Sequence, residues 1–187
     1  ADLPRNDPAC PMCAAAVPES GELCRRCRRR RRAFDAAYAP YRYEFPVPEL
    51  ILRMKYRGQL PITRILGCGL GRRLAERGAP QVDALVPVPL HAARERKRGY
   101  NQAREIACFA ARELGLPVQD RLARRIRATA EQTGLAAGAR RRNLRGAFMI
   151  DAGDVPSRVA IVDDVLTTGA TAESLAIALR RAGCRRR

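Results

Sequence analysis

Tryptophan is absent from this 187-residue chain, histidine occurs once, lysine twice, and aromatic residues make up only 5%. Each shortage excludes something. Without tryptophan the core must be packed from Ala, Leu, Ile and Val, and the length allows one main core with room for a small appendage. With His91 as the sole imidazole, a His-dependent catalytic triad would have to form around it, yet Pro87-Val88-Pro89-Leu90 and the arginine-rich stretch beyond supply no nucleophile. His91 reads as a loop residue within reach of a ligand. No apolar run approaches bilayer-spanning length and Ala1-Asp2-Leu3-Pro4-Arg5 is no secretory signal, so a soluble, cytoplasmic protein without membrane insertion is expected. The shortage of lysine shapes the charge. Of 36 cationic residues all but Lys55 and Lys97 are arginine, against 19 acidic ones, for a net +17. Guanidinium forks suit phosphate and nucleic acid, although a coding preference for arginine would produce the same imbalance. The runs 28–32, 140–142 and 185–187 are either a polyanion footprint or a solvated basic face.

The most informative stretch lies near the C-terminus. The apolar run Val159-Ala160-Ile161-Val162 ends in Asp163-Asp164, continues as Val165-Leu166-Thr167-Thr168-Gly169-Ala170-Thr171, and opens a predicted helix over 172–182. A buried strand, paired carboxylates, then a Gly/Thr loop at a helix N-terminus build two half-sites side by side. Loop amides can hold a phosphate and the carboxylates can hold sugar hydroxyls, which makes a sugar phosphate the natural ligand. No lysine follows Gly169, so this is not a Walker P-loop. It resembles the phosphoribosyl pyrophosphate (PRPP) motif of type I phosphoribosyltransferases, four apolar residues and then D-D-x-x-T-T-G-x-T. That likeness assigns the ribose hydroxyls to Asp163 and Asp164, and the 5-phosphate to the loop from Val165 to Thr171. The plainer alternative is a β-α turn with capping threonines and two solvated aspartates.

Four of the seven cysteines form Cys10-x2-Cys13-x10-Cys24-x2-Cys27. Two C-x-x-C knuckles joined by a Pro/Gly-containing turn can point four thiolates at one tetrahedral ion, so a structural zinc ribbon is expected, with no open position for chemistry. Disulfides would instead require an oxidising compartment. Cys68, Cys108 and Cys184 lack partners at metal-binding spacing.

After Arg32 the composition shifts to Tyr38, Tyr41, Tyr43, Phe45 and several prolines, a plausible domain boundary. A helix is predicted to begin over 48–54. A second, over 61–77, carries Ile62, Leu66, Leu70 and Leu74 on one stripe. Gly67-x-Gly69-x-Gly71 within it follows no strand and reads as close helix packing rather than a dinucleotide loop. A strand is expected over 82–88, a basic loop over 88–98 with Arg94, Arg96, Lys97 and Arg98, a helix over 101–114, and a short strand over 122–126. Strand, basic loop, helix is half of a parallel α/β layout, with 159–182 as its counterpart, and ligands gather at the carboxyl ends of such strands. The polar stretch around Thr129, Gln132, Thr133 and Gly134 is either a loop that closes over the site or a surface loop without a role.

Several separated segments together resemble the ComF-type competence family: the double C-x-x-C; Leu52-Arg53-Met54-Lys55-Tyr56-Arg57-Gly58; Val86-Pro87-Val88-Pro89-Leu90 leading to Arg98-Gly99-Tyr100-Asn101-Gln102; Arg125 through Thr129, Gln132 and Leu135 to Arg142-Asn143-Leu144-Arg145-Gly146-Ala147-Phe148; and the PRPP motif. The resemblance implies an α/β fold, a type I phosphoribosyltransferase-like parallel sheet flanked by helices (34–187), behind a small N-terminal zinc ribbon (1–33). Family members usually carry a further apolar strand after the last helix. Here Gly183 leads only to Cys184-Arg185-Arg186-Arg187, so the chain is cut short or its sheet lacks that edge strand. The activity implied is transfer of ribose 5-phosphate from PRPP with magnesium bridging pyrophosphate and ribose oxygens, in a setting of DNA uptake and natural transformation. Arg94, Arg96, Lys97, Arg98, Asn101 and Gln102 are the pyrophosphate and loop candidates, and the acceptor is unspecified. The alternative is a non-catalytic protein that engages single-stranded DNA or a competence helicase and keeps a vestigial or regulatory PRPP pocket.

Overall fold

Apolar residues one helical turn apart and small residues between them decide how the helices meet. The computed structural model describes residues 3–127, 146–151 and 153–185, and the segment expected to close over the site lies largely outside them. Helix α1 (Arg25–Arg29) follows Cys24, helix α2 (Val47–Arg57) buries Val47, Ile51 and Met54, and helix α3 (Leu60–Glu76) buries Ile62, Leu66, Gly67 and Gly71. Gly58, in the left-handed conformation at φ 62°, stops α2 and lets α3 begin two residues later. The glycine stripe of α3 does what its spacing predicts. A Cβ on Gly67 would lie 2.6 Å from the Phe109 Cβ and 2.7 Å from the Ile106 carbonyl, and one on Gly71 would lie 2.7 Å from the Glu113 Cβ. These neighbours belong to a later helix, whose backbone therefore approaches α3 without intervening side chains. Gly67→Ala is expected to cost about 1–3 kcal/mol through overpacking, read as a shift of the urea midpoint at unchanged m-value.

Strand β1 (Ala84–Pro87) is buried along its whole length. After it the chain departs from expectation: rather than a basic loop, residues 92–98 form helix α4 (Ala92–Arg98). The His91 imidazole Nδ1 accepts from the Ala93 amide at 3.3 Å, and Gly99, at φ 80°, donates its N–H to the Glu95 carbonyl. The helix is thus capped at both ends, by an N-cap residue that is not among the usual ones. Helix α5 (Gln102–Leu114) follows, with Asn101 as N-cap, accepting from the Ala103 amide at 3.0 Å. Strand β2 (Ala123–Arg125) pairs antiparallel with β3 (Phe148–Ile150), and β4 (Val159–Val162) leads to the final helix α6 (Ala170–Arg181).

Strands β1 and β4 run parallel, with Pro87 opposite Val162. Residues 117–119 line the other edge of β1, where the Leu85 amide donates to Pro117 O and the Gln119 amide to Leu85 O, each at 2.9 Å. Side chains alternate across this sheet, as strand geometry requires. Leu85 and Val162 face α2, α3 and α5, whereas Val86, with Val159 and Ile161, packs with β2, β3 and α6 through Phe148, Leu175 and Leu179. The result is a mixed α/β protein with a small parallel sheet flanked by helices. At the N-terminus, residues 9 and 16 form an antiparallel bridge, and segment 37–42 is hydrogen-bonded back to residues 4–11. Among the described residues no helix is long and apolar enough to cross a membrane.

Candidate functional site

Two clusters of chemically capable side chains emerge. The first is the cysteine group: the sulfurs of Cys10, Cys13, Cys24 and Cys27 all lie within 4.8 Å of one another, and Cys13 and Cys24 approach to 3.5 Å. A tetrahedral site with Zn–S bonds of about 2.3 Å needs sulfurs about 3.8 Å apart, so the group fits one zinc ion. All seven cysteines are free of disulfides. Burial pushes the Cys13 thiol up to about 12. Burial also works against ionisation of Cys24, but hydrogen bonds from the Cys27 amide and the Cys13 thiol draw it down to about 7. Four sulfurs this close could hold one metal ion, and zinc is the ion that suits a site built of four cysteines.

The second cluster forms at the carboxyl ends of β1 and β4. The Val88 amide donates to the Val162 carbonyl at 2.8 Å, so the segments after both strands leave the sheet side by side. Asp163 and Asp164 come next. Asp164 pairs through Oδ2 with the Lys55 ammonium at 2.9 Å, and its amide donates to Asp163 Oδ1 at 2.9 Å. Burial and the neighbouring Asp164 carboxylate push Asp163 up to about 7, against the pull of the Asp164 amide, Lys55 and Arg125. From Val165 through Gly169 the backbone amides donate no hydrogen bond among the described residues. Thr168 Oγ1 accepts from Ala170 N at 3.4 Å, and Gly169 turns at φ 74° to start α6. Thr167 is exposed, while Thr171 sits in the first turn of α6. Open amides, a helix N-terminus and an acidic pair are therefore adjacent. Beside them lies a cavity of ≈ 370 Å³ lined by Tyr38, Tyr41, Tyr43, Ile51, Leu66 and Asp163, among others.

The basic candidates separate once α4 is a helix. Arg94 and Arg98, one turn apart, are half-buried, whereas Arg96 and Lys97 point to solvent. Arg98 donates to Gln102 Oε1 at 3.2 Å and lies over the Tyr56 ring. Asn101 Nδ2 donates to the Val88 carbonyl at 3.0 Å, and Tyr100 donates to the Met54 carbonyl, so Arg98-Gly99-Tyr100-Asn101-Gln102 ties α5 to α2 and to the end of β1. Gln102 is 1% exposed. Two further residues belong with the acidic pair. Lys55 had a signal in the sequence, as one of two lysines in a chain whose other cations are arginine. Arg125 stood only at the start of a family-like segment, with no role assigned: burial lowers its pKa, as does nearby Arg94, while Asp163 favours its charge.

A parallel strand pair whose carboxyl end presents two aspartates and an open amide loop, behind an N-terminal group of four cysteines, defines the class: a mixed α/β protein with a metal-type cysteine module. No family model matches the chain. It is 34% identical over 185 residues to competence protein F of Haemophilus influenzae, an alignment that covers 94% of this chain and 80% of that one. It is also 32% identical to DNA utilization protein YhgH of Salmonella typhi and 31% identical to that of Escherichia coli K12, in each case across 93% of this chain and 78% of the relative. The chain belongs to the ComF family.

Proposed function

We propose that the protein binds PRPP at the carboxyl end of β4 and transfers its phosphoribosyl group, in the service of DNA uptake. The observation that carries this reading is the adjacency of Asp163 and Asp164 to five amides at the N-terminus of α6 that donate no hydrogen bond among the described residues. Peptide dipoles and open N–H groups favour a phosphate there, and carboxylates a residue away accept from ribose hydroxyls. Lys55 holds Asp164 in place and offsets its charge. As positive charge develops on the sugar, the acidic pair stabilises it, while Arg125, which interacts with Asp163, and Arg94 near it are the cations offered to a departing pyrophosphate. Magnesium, if bound with the substrate, would neutralise pyrophosphate further, and Asp163 and Asp164 are the residues that would help to hold it. The tyrosine-lined cavity suits a flat acceptor ring. The names of the relatives, competence protein F and DNA utilization protein, support the setting in DNA handling. Calorimetric titration of the zinc-loaded protein with PRPP and magnesium tests the proposal, followed by a screen of bases for pyrophosphate release. No heat of binding would remove the catalytic reading.

A second reading is favoured by one surface. Phe45 is 82% and Tyr56 64% exposed, and Leu52 shares with Tyr56 the outward face of α2, next to Arg53, Arg57 and Arg98. Exposed rings among arginines suit stacking with unpaired bases, so we also propose that this face engages single-stranded DNA. Tyr56→Ala is expected to weaken binding of a fluorescent oligonucleotide by about 1–3 kcal/mol with the salt slope unchanged, whereas Arg57→Ala reduces the slope. Equal affinity of wild type and Tyr56→Ala would exclude this face.

A further inference from the structure

Glutamate in the first turn of a helix ordinarily profits from the helix dipole, but the first turn of α6 is where the PRPP reading places a phosphate. Glu173 is nearly fully buried there, donates its amide to the Gly169 carbonyl at 2.8 Å, and would meet an incoming dianion as a second negative charge in a poorly solvated space. Two arginines from the N-terminal module answer it. Arg30 Nη2 lies 2.9 Å from Glu173 Oε1, and Arg32 Nη1 lies 3.3 Å from Oε2, with the Arg32 and Glu173 side chains only 5% and 6% exposed. Arg32 Nη1 also donates to the Thr168 carbonyl at 3.0 Å, which is in the candidate phosphate loop itself. Where a Cβ would stand on Gly169, Arg32 Nη1 and the Phe34 ring are 3.6 Å and 3.5 Å away, so the module packs against the back of that loop.

We propose that Arg30 and Arg32 are positioning residues of the anion site, cancelling the buried Glu173 carboxylate and holding the Thr167 to Thr171 loop open to phosphate. The N-terminal module thereby completes the site rather than merely accompanying it. This inference rests on the PRPP reading above. Arg32 is also coupled electrostatically to Cys27, so the cancelling charge links the cysteine cluster to the candidate phosphate loop. A buried ion pair acting only as glue between module and domain would give different behaviour when its members are removed together.

The test is PRPP affinity, measured by calorimetry on the full zinc-loaded chain for wild type, Arg30→Met, Arg32→Met, Glu173→Gln and the double variant Arg32→Met/Glu173→Gln, with folding checked by circular dichroism. Arg32→Met should weaken PRPP binding on the order of 30-fold, through repulsion of a dianion by one uncompensated carboxylate. Arg30→Met should weaken it less, since Arg30 is partly solvated. Glu173→Gln should bind as tightly as wild type or tighter, and the double variant should recover most of the loss. Should Arg32→Met fail to fold, Arg30→Met and Glu173→Gln still decide the matter. Folded arginine variants that bind PRPP like wild type overturn the inference and leave the PRPP reading standing, as does a Glu173→Gln variant weakened as much as its arginine counterparts. A wild-type protein that does not bind PRPP overturns the reading beneath it.

Discussion

Asp163→Asn is expected to lower PRPP affinity roughly 10- to 100-fold, the worth of a charged hydrogen bond to a buried hydroxyl, and at the same time to stabilise the free protein above neutral pH. The second effect follows from the direction of its shift. The folded protein holds the Asp163 carboxyl up at about 7 through burial and the charge of Asp164, while the unfolded chain ionises it near the ordinary value of 3.8. Between these values the folded state binds more protons than the unfolded one, so this group's contribution is fully present below pH 4 and is lost as pH rises through 7. By pH 8 the loss amounts to a few kcal/mol, on the order of 4. Asparagine keeps the shape of the protonated acid and carries no charge to desolvate. Urea midpoints measured from pH 4 to pH 8 should diverge between wild type and variant as alkalinity increases, with the variant ahead. Parallel pH profiles would show that Asp163 is solvated and ionised in the free protein. A residue that weakens the fold at working pH yet sits beside a loop proposed to hold phosphate is the pattern expected where binding, rather than stability, has set the residue type.

Removing metal from the cysteine cluster should have the largest structural effect. Zinc bound to four thiolates contributes on the order of 10 kcal/mol or more in small modules, and residues 3–42 contain little apolar core of their own: Cys10, Ala14 and Cys27 are their buried hydrophobic residues. Chelation, or Cys27→Ser, is expected to open this region to protease at its arginines, and to lower the thermal midpoint by more than about 5 °C. Because the cluster includes one thiol raised to about 12 and another near 7, metal loading should release protons, and affinity should fall as the solution is acidified. Protein purified with less than one zinc per chain, and with a thermal midpoint indifferent to chelator, would contradict the assignment.

What could be read along the chain was whatever depends on near neighbours. Helix α3 was legible because Ile62, Leu66 and Leu70 recur at the helical period, and its glycines because their own spacing forms a stripe. Strand β4 and the turn after it were legible because four apolar residues, two acids and a Gly/Thr loop follow one another directly. Helix α4 escaped notice since seven polar and small residues carry no apolar period, and its start depends on a histidine whose ring nitrogen happens to face an amide. The pairing of Lys55 and Arg125 with the acidic residues was also hidden. Lys55 lies on α2, Arg125 on β2, and neither is recorded in the spacing of residues around Asp163.

The amino-acid order alone therefore determined the four-cysteine group, the amphipathic helices, and the acid pair with its amide loop, because each is made by backbone geometry acting over a few residues. Tertiary structure decided which charges meet. It set Lys55 against Asp164, Arg125 near Asp163, and Arg30 and Arg32 on Glu173. Such contacts join segments distant in the chain, and the low dielectric between packed elements, which no local pattern encodes, gives them their strength.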